Sequence, residues 1–145
     1  MIISLLLAAA GATLAPVDAH PWLTIIGDMS DPSVNTIQVN PAPLEPRSAA
    51  KTLQVRVSRS ANRTSWDGVP YRSYDARVVF DCAQRTARYE RIDYYQVPFW
   101  KGKPERTVSY VKGEPRMMQF REVEPNPNAR IISAACAPAA SVARE

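Results

Sequence analysis

The chain has 145 residues, with 18 Lys and Arg, 14 Asp and Glu, and a formal charge of +4 at pH 7. This length fits one domain with a single hydrophobic core rather than two domains. The moderate positive charge suits acidic partners such as lipid headgroups, polyanionic glycans or acidic protein surfaces, but it is well below that of a nucleic-acid-binding tail. A soluble surface with a slight excess of arginine accounts for the same balance.

The first 19 residues have the pattern of a secretory signal peptide. Residues 2–15 are mostly apolar or small, Pro16 ends the segment, and Val17-Asp18-Ala19 is a small-x-small cleavage pattern. We therefore expect cleavage before His20, which leaves 126 of the 145 residues, and export to the periplasm or the medium. No cysteine follows the cleavage position, so we predict no lipid anchor. The apolar segment is shorter than the about 20 residues that span a bilayer, so we also predict no transmembrane span.

The only two cysteines, Cys82 and Cys136, are predicted to form a disulfide. Exported proteins with an even cysteine count usually oxidise their cysteines to each other. Two independent reactive thiols are the alternative, but neither cysteine belongs to a C-x-x-C pair or has a histidine nearby in the sequence to lower its pKa.

The remainder of the sequence has a β pattern, with 13 prolines and five glycines between short runs rich in Val, Ile, Tyr and Thr. Within residues 51–58, Leu53, Val55 and Val57 alternate with polar residues, which indicates a strand with one buried face. Predicted strands cover 22–26, 34–39, 51–58, 71–82, 86–96 and 106–111, with 117–123 as a candidate last strand. Since their connections are short and contain no crossover helix, the sheet should be antiparallel.

A short helix is predicted beyond Pro127, with Asn128 as its N-cap. In this helix Ile131 and Ile132 would stack on Ala135 and Cys136 at i and i+4. The predicted fold is therefore α+β, a single antiparallel sheet of about six strands with a C-terminal helix tied to it by the Cys82–Cys136 disulfide. The predicted domain covers 20–138, and 139–145 is predicted to be a disordered tail.

No pattern in the sequence indicates a cofactor or a metal site. The single histidine, His20, would be a mobile mature N-terminus, and there is no Cys/His cluster for zinc and no acidic calcium loop. The sequence also lacks a Gly-x-Ser-x-Gly elbow. A pair of carboxylates drawn from Asp75, Asp81 and Asp93 stays open as a hydrolytic site, although strand acids are more often solvated or paired with arginine.

The segment Phe99-Trp100-Lys101 with Lys103 mixes aromatic and cationic side chains, a composition found in interface hot spots. It is the predicted partner-binding site. The alternative is that both rings merely cover the end of the core.

Arg85 and Arg91 would lie on one strand face and assist this segment if they lie near it, whereas Arg88 would point to the other face. Any basic patch is therefore smaller than the number of arginines suggests.

Five short features lie along the strands and the helix predicted above. They are Tyr71-Arg72-Ser73, Phe80-Asp81-Cys82, Tyr95, Glu122-Val123-Glu124-Pro125 and Ala134-Ala135-Cys136. In these features the sequence resembles the surface-adhesin protein E family of bacterial envelope proteins, from residue 22 to about residue 138.

The resemblance implies an antiparallel sheet with a C-terminal helix held by the cysteine pair. It also implies a non-enzymatic role, with binding to host matrix proteins and self-association as a possible homodimer. The chain departs from the family in having no lipobox cysteine, and no host-binding motif carries over. We therefore expect an exported, non-catalytic domain that binds an unknown protein or an acidic envelope or host macromolecule. The alternatives are a small periplasmic hydrolase using strand carboxylates and an inhibitor of an exported enzyme.

Overall fold

The structure is a computed structural model that describes residues 22–44 and 50–138. The predicted signal peptide, His20 and the predicted tail 139–145 lie outside the described residues. One antiparallel sheet, one C-terminal helix and a Cys82–Cys136 disulfide make up the fold, so the predicted fold class is confirmed.

Within the described residues seven strands form the sheet, and six of them follow one another across it in chain order, each antiparallel to the next. The strands are β1 (Leu23–Ile26), β2 (Thr36–Val39), β3 (Lys51–Thr64), β4 (Pro70–Asp81), β5 (Thr86–Tyr95), β6 (Arg106–Ser109) and β7 (Arg116–Met117). β7 pairs with β5 beside β6. A 3₁₀ turn (Pro98–Trp100) follows β5, and the helix α1 (Asn128–Cys136) ends the described chain.

The two faces of the sheet differ in what covers them. Leu53, Val55 and Val57 of β3 are almost fully buried and belong to the main core cluster. Ile131 and Ile132 of α1 belong to the same cluster. We call this side the inner face. The opposite side, which carries Gln54, Arg56 and Ser58 in β3 and Ser73, Asp75 and Arg77 in β4, is the outer face.

The longest hairpin extends further than the sequence pattern predicted. β3 continues beyond residue 58 to Thr64, and its register with β4 shifts between Ser58 and Arg63. A tight loop that contains Gly68, with a φ of 74°, reverses the chain. The extension matters because it carries Arg59, within the register shift, and Arg63, which pairs with Tyr71 after it.

The segment predicted as a last strand, 117–123, is mostly irregular, so that prediction is wrong. Only Arg116–Met117 pairs with β5, and the backbone N–H of Met118 adds one hydrogen bond to the carbonyl of Ala87. Met118, Phe120 and Val123 are nevertheless buried in the core. Their alternation therefore reflects core packing of a coil segment, without strand pairing.

The prediction that Asn128 is the helix N-cap is also wrong. Pro127 occupies the N-cap position and makes no side-chain cap hydrogen bond. Asn126 organises this end instead. Its Oδ1 accepts from the backbone N–H of Asn128 at 3.0 Å, and its Nδ2 donates to the carbonyl of Phe120 at 2.9 Å.

The disulfide joins the residue after β4 to the last residue of α1, with 5.6 Å between the Cα atoms of Cys82 and Cys136. A second tie comes from Lys51, whose Nζ donates to the carbonyls of Ala135 and Ala137 at the helix C-terminus. A cation at this end also complements the helix dipole. The disulfide between Cys82 and Cys136 confirms the predicted cysteine pairing.

No helix within the described residues is long and apolar enough to cross a membrane.

Candidate functional site

The segment from Phe99 to Lys103, here called the Phe99 segment, crosses the outer face over β3 and β4. The backbone N–H of Phe99 donates to Ser58 Oγ at 3.2 Å, and that of Trp100 donates to Ser73 Oγ at 3.1 Å. Phe99 and Trp100 have φ angles of 56° and 57°, a left-handed conformation that costs about 1–3 kcal/mol for a non-glycine residue. The two serine hydroxyls therefore hold a strained backbone in place.

Trp100 is the anchor of this segment. Its indole Nε1 donates to the carbonyl of Val57 at 3.2 Å. The guanidinium carbon of Arg56 lies 4.3 Å from the Trp100 ring centroid and 3.9 Å from that of Trp22, so the cation is stacked with two indoles. Burial lowers the pKa of Arg56, against the opposing charge of Asp75. The Trp100 ring therefore packs on the outer face of the sheet.

The two lysines of the segment lie closer to solvent than its two aromatic rings. Phe99 is partly exposed, and Lys101 and Lys103 are exposed. Phe99 lines a shallow depression together with Met29, Ser30, Pro32, Val97, Pro98 and Lys101. Met29 and Val97 are 41% and 44% exposed. The depression therefore offers an apolar surface next to the cation of Lys101.

The charge around this depression is mixed. Asp28 and Asp31 flank the Met29–Ser30 part of its wall. Hydrogen bonds from Ser30 lower the pKa of Asp28, and hydrogen bonds from Ser33 lower the pKa of Asp31. Both carboxyls are therefore ionised at neutral pH, and the attraction for an acidic partner is weaker than the two lysines alone would give.

Arg85 and Arg91 do not share a strand face, so that prediction is wrong. Arg85 precedes β5 with a φ of 56°, and its Nη2 donates to Ser133 Oγ of α1 at 2.7 Å. A register shift between β4 and β5 next to Arg91 also changes the alternation of β5. The sequence showed the arginine spacing but not this shift.

Neither arginine adjoins the Phe99 segment. Arg91 pairs with Arg77, four residues along β4 from Ser73, which is about 13 Å of strand. It forms an ion pair with Asp93, with 3.1 Å between Arg91 Nη2 and Asp93 Oδ2. Arg85 lies at the far end of β4, beyond the pair of Asp81 with Thr86.

Two of the three strand carboxylates do meet. Asp75 of β4 lies directly opposite Asp93 of β5. Burial raises the pKa of Asp75 to about 6, and the charge of Asp93 adds to the effect while Arg56 and Arg91 oppose it. Asp93 accepts hydrogen bonds from Arg91 and from Thr107 Oγ1. In this pair Asp75 has a raised pKa, and Asp93 is held in place by hydrogen bonds.

Asp81 is separate from the pair, since its Oδ1 accepts a hydrogen bond from the backbone N–H of Gln84 in the β4–β5 turn.

Sequence reasoning missed Arg56 as the partner of Trp100, and Trp22 as the second ring that stacks on Arg56. The alternation of β3 places Arg56 on the outer face, but residues 44 positions apart meet only through the folded sheet. Among the described residues, no group of three or more His, Cys, Asp or Glu side chains is arranged to hold a metal ion.

The fold and its outer face define a small α+β domain, a disulfide-tied antiparallel meander with an anchored aromatic and cationic segment. The family model of surface-adhesin protein E matches residues 22–137, and the chain belongs to this family. The resemblance noted on the sequence is thus confirmed over most of the chain. Comparison with curated proteins and with solved structures gives no match. Family membership favours a surface adhesin over an enzyme.

Proposed function

We propose that this protein is an exported, non-catalytic domain of the bacterial cell envelope that binds another macromolecule through the Phe99 segment. Membership of a family of surface adhesins supports binding as its role. The disulfide supports export, because such bonds persist in oxidising compartments. Export takes the protein to the periplasm or the medium.

The observation that carries the proposal is the anchoring of the Phe99 segment. Trp100 and two serine hydroxyls fix the backbone, so little conformational entropy is lost when a partner binds. Phe99 and its depression supply apolar contact, and Lys101 with Lys103 supply charge. The partner that fits is a protein presenting an apolar side chain beside an acidic one. Asp28 and Asp31 disfavour partners that carry negative charge over the whole contact.

The test is affinity capture with the oxidised domain, from an envelope extract and from host matrix. Lys101→Glu combined with Lys103→Glu should lower capture of a partner at least tenfold and leave the melting temperature nearly unchanged, because both side chains are exposed. Arg106→Glu with Lys112→Glu makes the same charge change at exposed positions outside the segment and should retain capture. Equal loss in both double variants would show a general charge effect and contradict the site.

A Phe99→Ala variant examines the apolar part of the same surface. It should weaken capture while the hydrogen bonds of the Phe99 and Trp100 backbone persist. If Phe99→Ala and the lysine changes all leave capture intact, partner binding runs through another surface.

A second candidate function rests on the Asp75–Asp93 pair. Opposed residues on neighbouring strands have Cβ atoms about 4.5–5.5 Å apart, which suits the spacing of the two carboxyls in retaining glycosidases. Asp75, with its pKa raised to about 6, would act as the acid and Asp93 as the nucleophile. This function predicts hydrolysis of an envelope polysaccharide with an activity that declines above about pH 6 and is lost in Asp75→Asn. Absence of hydrolysis by the unmodified protein, together with partner capture, would exclude it.

A further inference from the structure

A pocket on the inner face is lined by three arginines. Arg59 and Arg63 come from the β3 extension, and Arg121 comes from the coil segment after β7. The pocket has a volume of about 120 Å³. We call it the arginine–tyrosine pocket. It lies on the side of the sheet opposite the Phe99 segment.

Arg59 is the unusual member of this pocket. The residue is only 5% exposed, and its Nε has no hydrogen-bond partner within the part of the chain that the structure describes. A buried N–H group without a hydrogen-bond acceptor is unfavourable. A ligand that supplies an anionic acceptor would remove this defect.

The neighbouring side chains do not supply that acceptor. The hydroxyls of Tyr74 and Tyr89 are 2.7 Å apart and bond to each other. Burial raises the pKa of both tyrosines, so neither becomes a phenolate near neutral pH. Glu122 is 2.9 Å from Arg63, in an ion pair whose carboxylate is 74% exposed. The pocket therefore keeps an excess of positive charge.

The remaining lining fits a six-membered ring. The volume of the pocket is close to that of an engineered cavity of about 150 Å³ that admits benzene. Trp66, 48% exposed, lies at the pocket with its ring centroid 6.0 Å from that of Tyr89. Aromatic faces attract the C–H edges of a ring through their quadrupole. Ser65 and Gln119 add hydroxyl and amide groups, which favour a ring bearing hydroxyls over a plain aromatic one.

We infer that the arginine–tyrosine pocket binds a hexuronic acid residue of an acidic glycan. Its carboxylate accepts hydrogen bonds from the guanidinium groups of Arg59 and Arg121, and its ring packs against Trp66. This inference goes beyond the proposed function and does not depend on it, because the ligand and the face of the sheet are both different.

Two matched sugars test the inference, methyl β-glucuronide and methyl β-glucoside, which differ at one carboxylate. Titration of the oxidised ¹⁵N-labelled domain should shift the Arg59 Nε–H and Trp66 indole resonances with the glucuronide. The glucoside should bind at least tenfold more weakly, because it lacks the charge-assisted hydrogen bonds. Sodium sulfate tests whether the pocket binds any anion. Sodium benzoate tests whether it binds any carboxylate that is attached to a ring. Equal affinity for either of these ions, or for the glucoside, would overturn the inference, as would the absence of glucuronide binding.

Arg59→Gln should weaken glucuronide binding at least tenfold. Arg121→Gln should also weaken glucuronide binding. Because Arg121 is exposed, this variant provides the test if Arg59→Gln does not fold. Arg130→Gln removes the same charge from an exposed position on α1 that does not line the pocket, and its affinity should be unchanged. If all three variants bind alike, the arginines of the pocket do not recognise the carboxylate.

Discussion

Replacing both Cys82 and Cys136 by serine is expected to lower the free energy of unfolding by about 4 kcal/mol. The two residues are 54 positions apart, and the loop-closure model gives about that value at 25 °C for a loop of this length. A small domain has a net stability of about 5–15 kcal/mol. The change should therefore leave a folded but marginal protein.

The helix α1 should loosen before the sheet does. It has nine residues, fewer than the about 12–15 that an isolated helix needs in water. Without the disulfide it would be held by burial of Ile131, Ile132 and Ala135 and by the hydrogen bonds of Lys51 to the helix carbonyls. The β3–β4 hairpin has its own long pairing and does not need the helix for its register.

Urea denaturation of the oxidised protein and of the double serine variant measures the change in free energy. Hydrogen exchange of the backbone amides in residues 128–136, compared with that in residues 70–81, shows whether the helix or the hairpin loses stability. Reductant should destabilise the unmodified protein and leave the double variant unaffected, which controls for effects of the serines. A loss below about 1 kcal/mol, or equal acceleration of exchange in helix and hairpin, would refute the argument from loop closure and helix length.

Substitutions at three further positions have expected outcomes that urea denaturation can measure. Trp100→Ala should cost about 2–4 kcal/mol through lost packing, and Trp100→Phe only about 1 kcal/mol, since it removes chiefly the hydrogen bond to Val57; equal costs would show that packing of the ring contributes little. Gly27→Ala should cost more than about 2 kcal/mol, because Gly27 has a φ of 94° and a Cβ there would overlap Thr36; a neutral result would contradict this close approach. With the pKa of Asp75 raised to about 6, the folded state holds a proton that the unfolded state releases above about pH 4. Stability should therefore fall as pH rises from about 4 to 6, and Asp75→Asn should flatten that slope and stabilise the protein at pH 7 by about 2 kcal/mol; an unchanged slope would show that Asp75 is not its source.

The strands that the sequence predicted well are those whose pattern is local. Leu53, Val55 and Val57 alternate with polar residues because the period of a strand is two. The same period in 117–123 was misleading. Met118 and Phe120 are buried as the pattern indicates, but burial alone does not make backbone pairing. A segment becomes a strand only if a neighbouring strand has free backbone hydrogen-bonding groups beside it. The sequence of the segment alone does not contain this information.

The helix was predicted from its i, i+4 apolar pairs, and its start was misplaced by one residue. Asn128 has the residue type of an N-cap, but Asn126 makes the hydrogen bonds that organise this end. One of these reaches Phe120, in the irregular segment that was itself predicted as a strand. The error at the cap therefore follows from the error in the segment that precedes it.

The composition of the Phe99 segment pointed to its aromatic and cationic side chains but not to where each of them lies on the sheet. Trp100 is anchored by contacts with Arg56 and Val57, residues more than 40 positions earlier. Arg59 escaped notice for a related reason. A strand arginine is ordinarily solvated, and only the extension of β3 past Ser58 brings it to the inner face among tyrosines.

The placement of the two proposed sites on opposite faces makes them separable by experiment. Lys101 and Lys103 lie on the outer-face segment, whereas Arg59 lines the inner-face pocket, so no side chain is shared. Substitutions without shared partners usually have additive effects. The lysine changes should therefore alter protein capture and leave glucuronide affinity unchanged, and Arg59→Gln should do the reverse. If Arg59→Gln instead lowers protein capture, the partner reaches the inner face, and the pocket belongs to one continuous binding surface rather than to a second site.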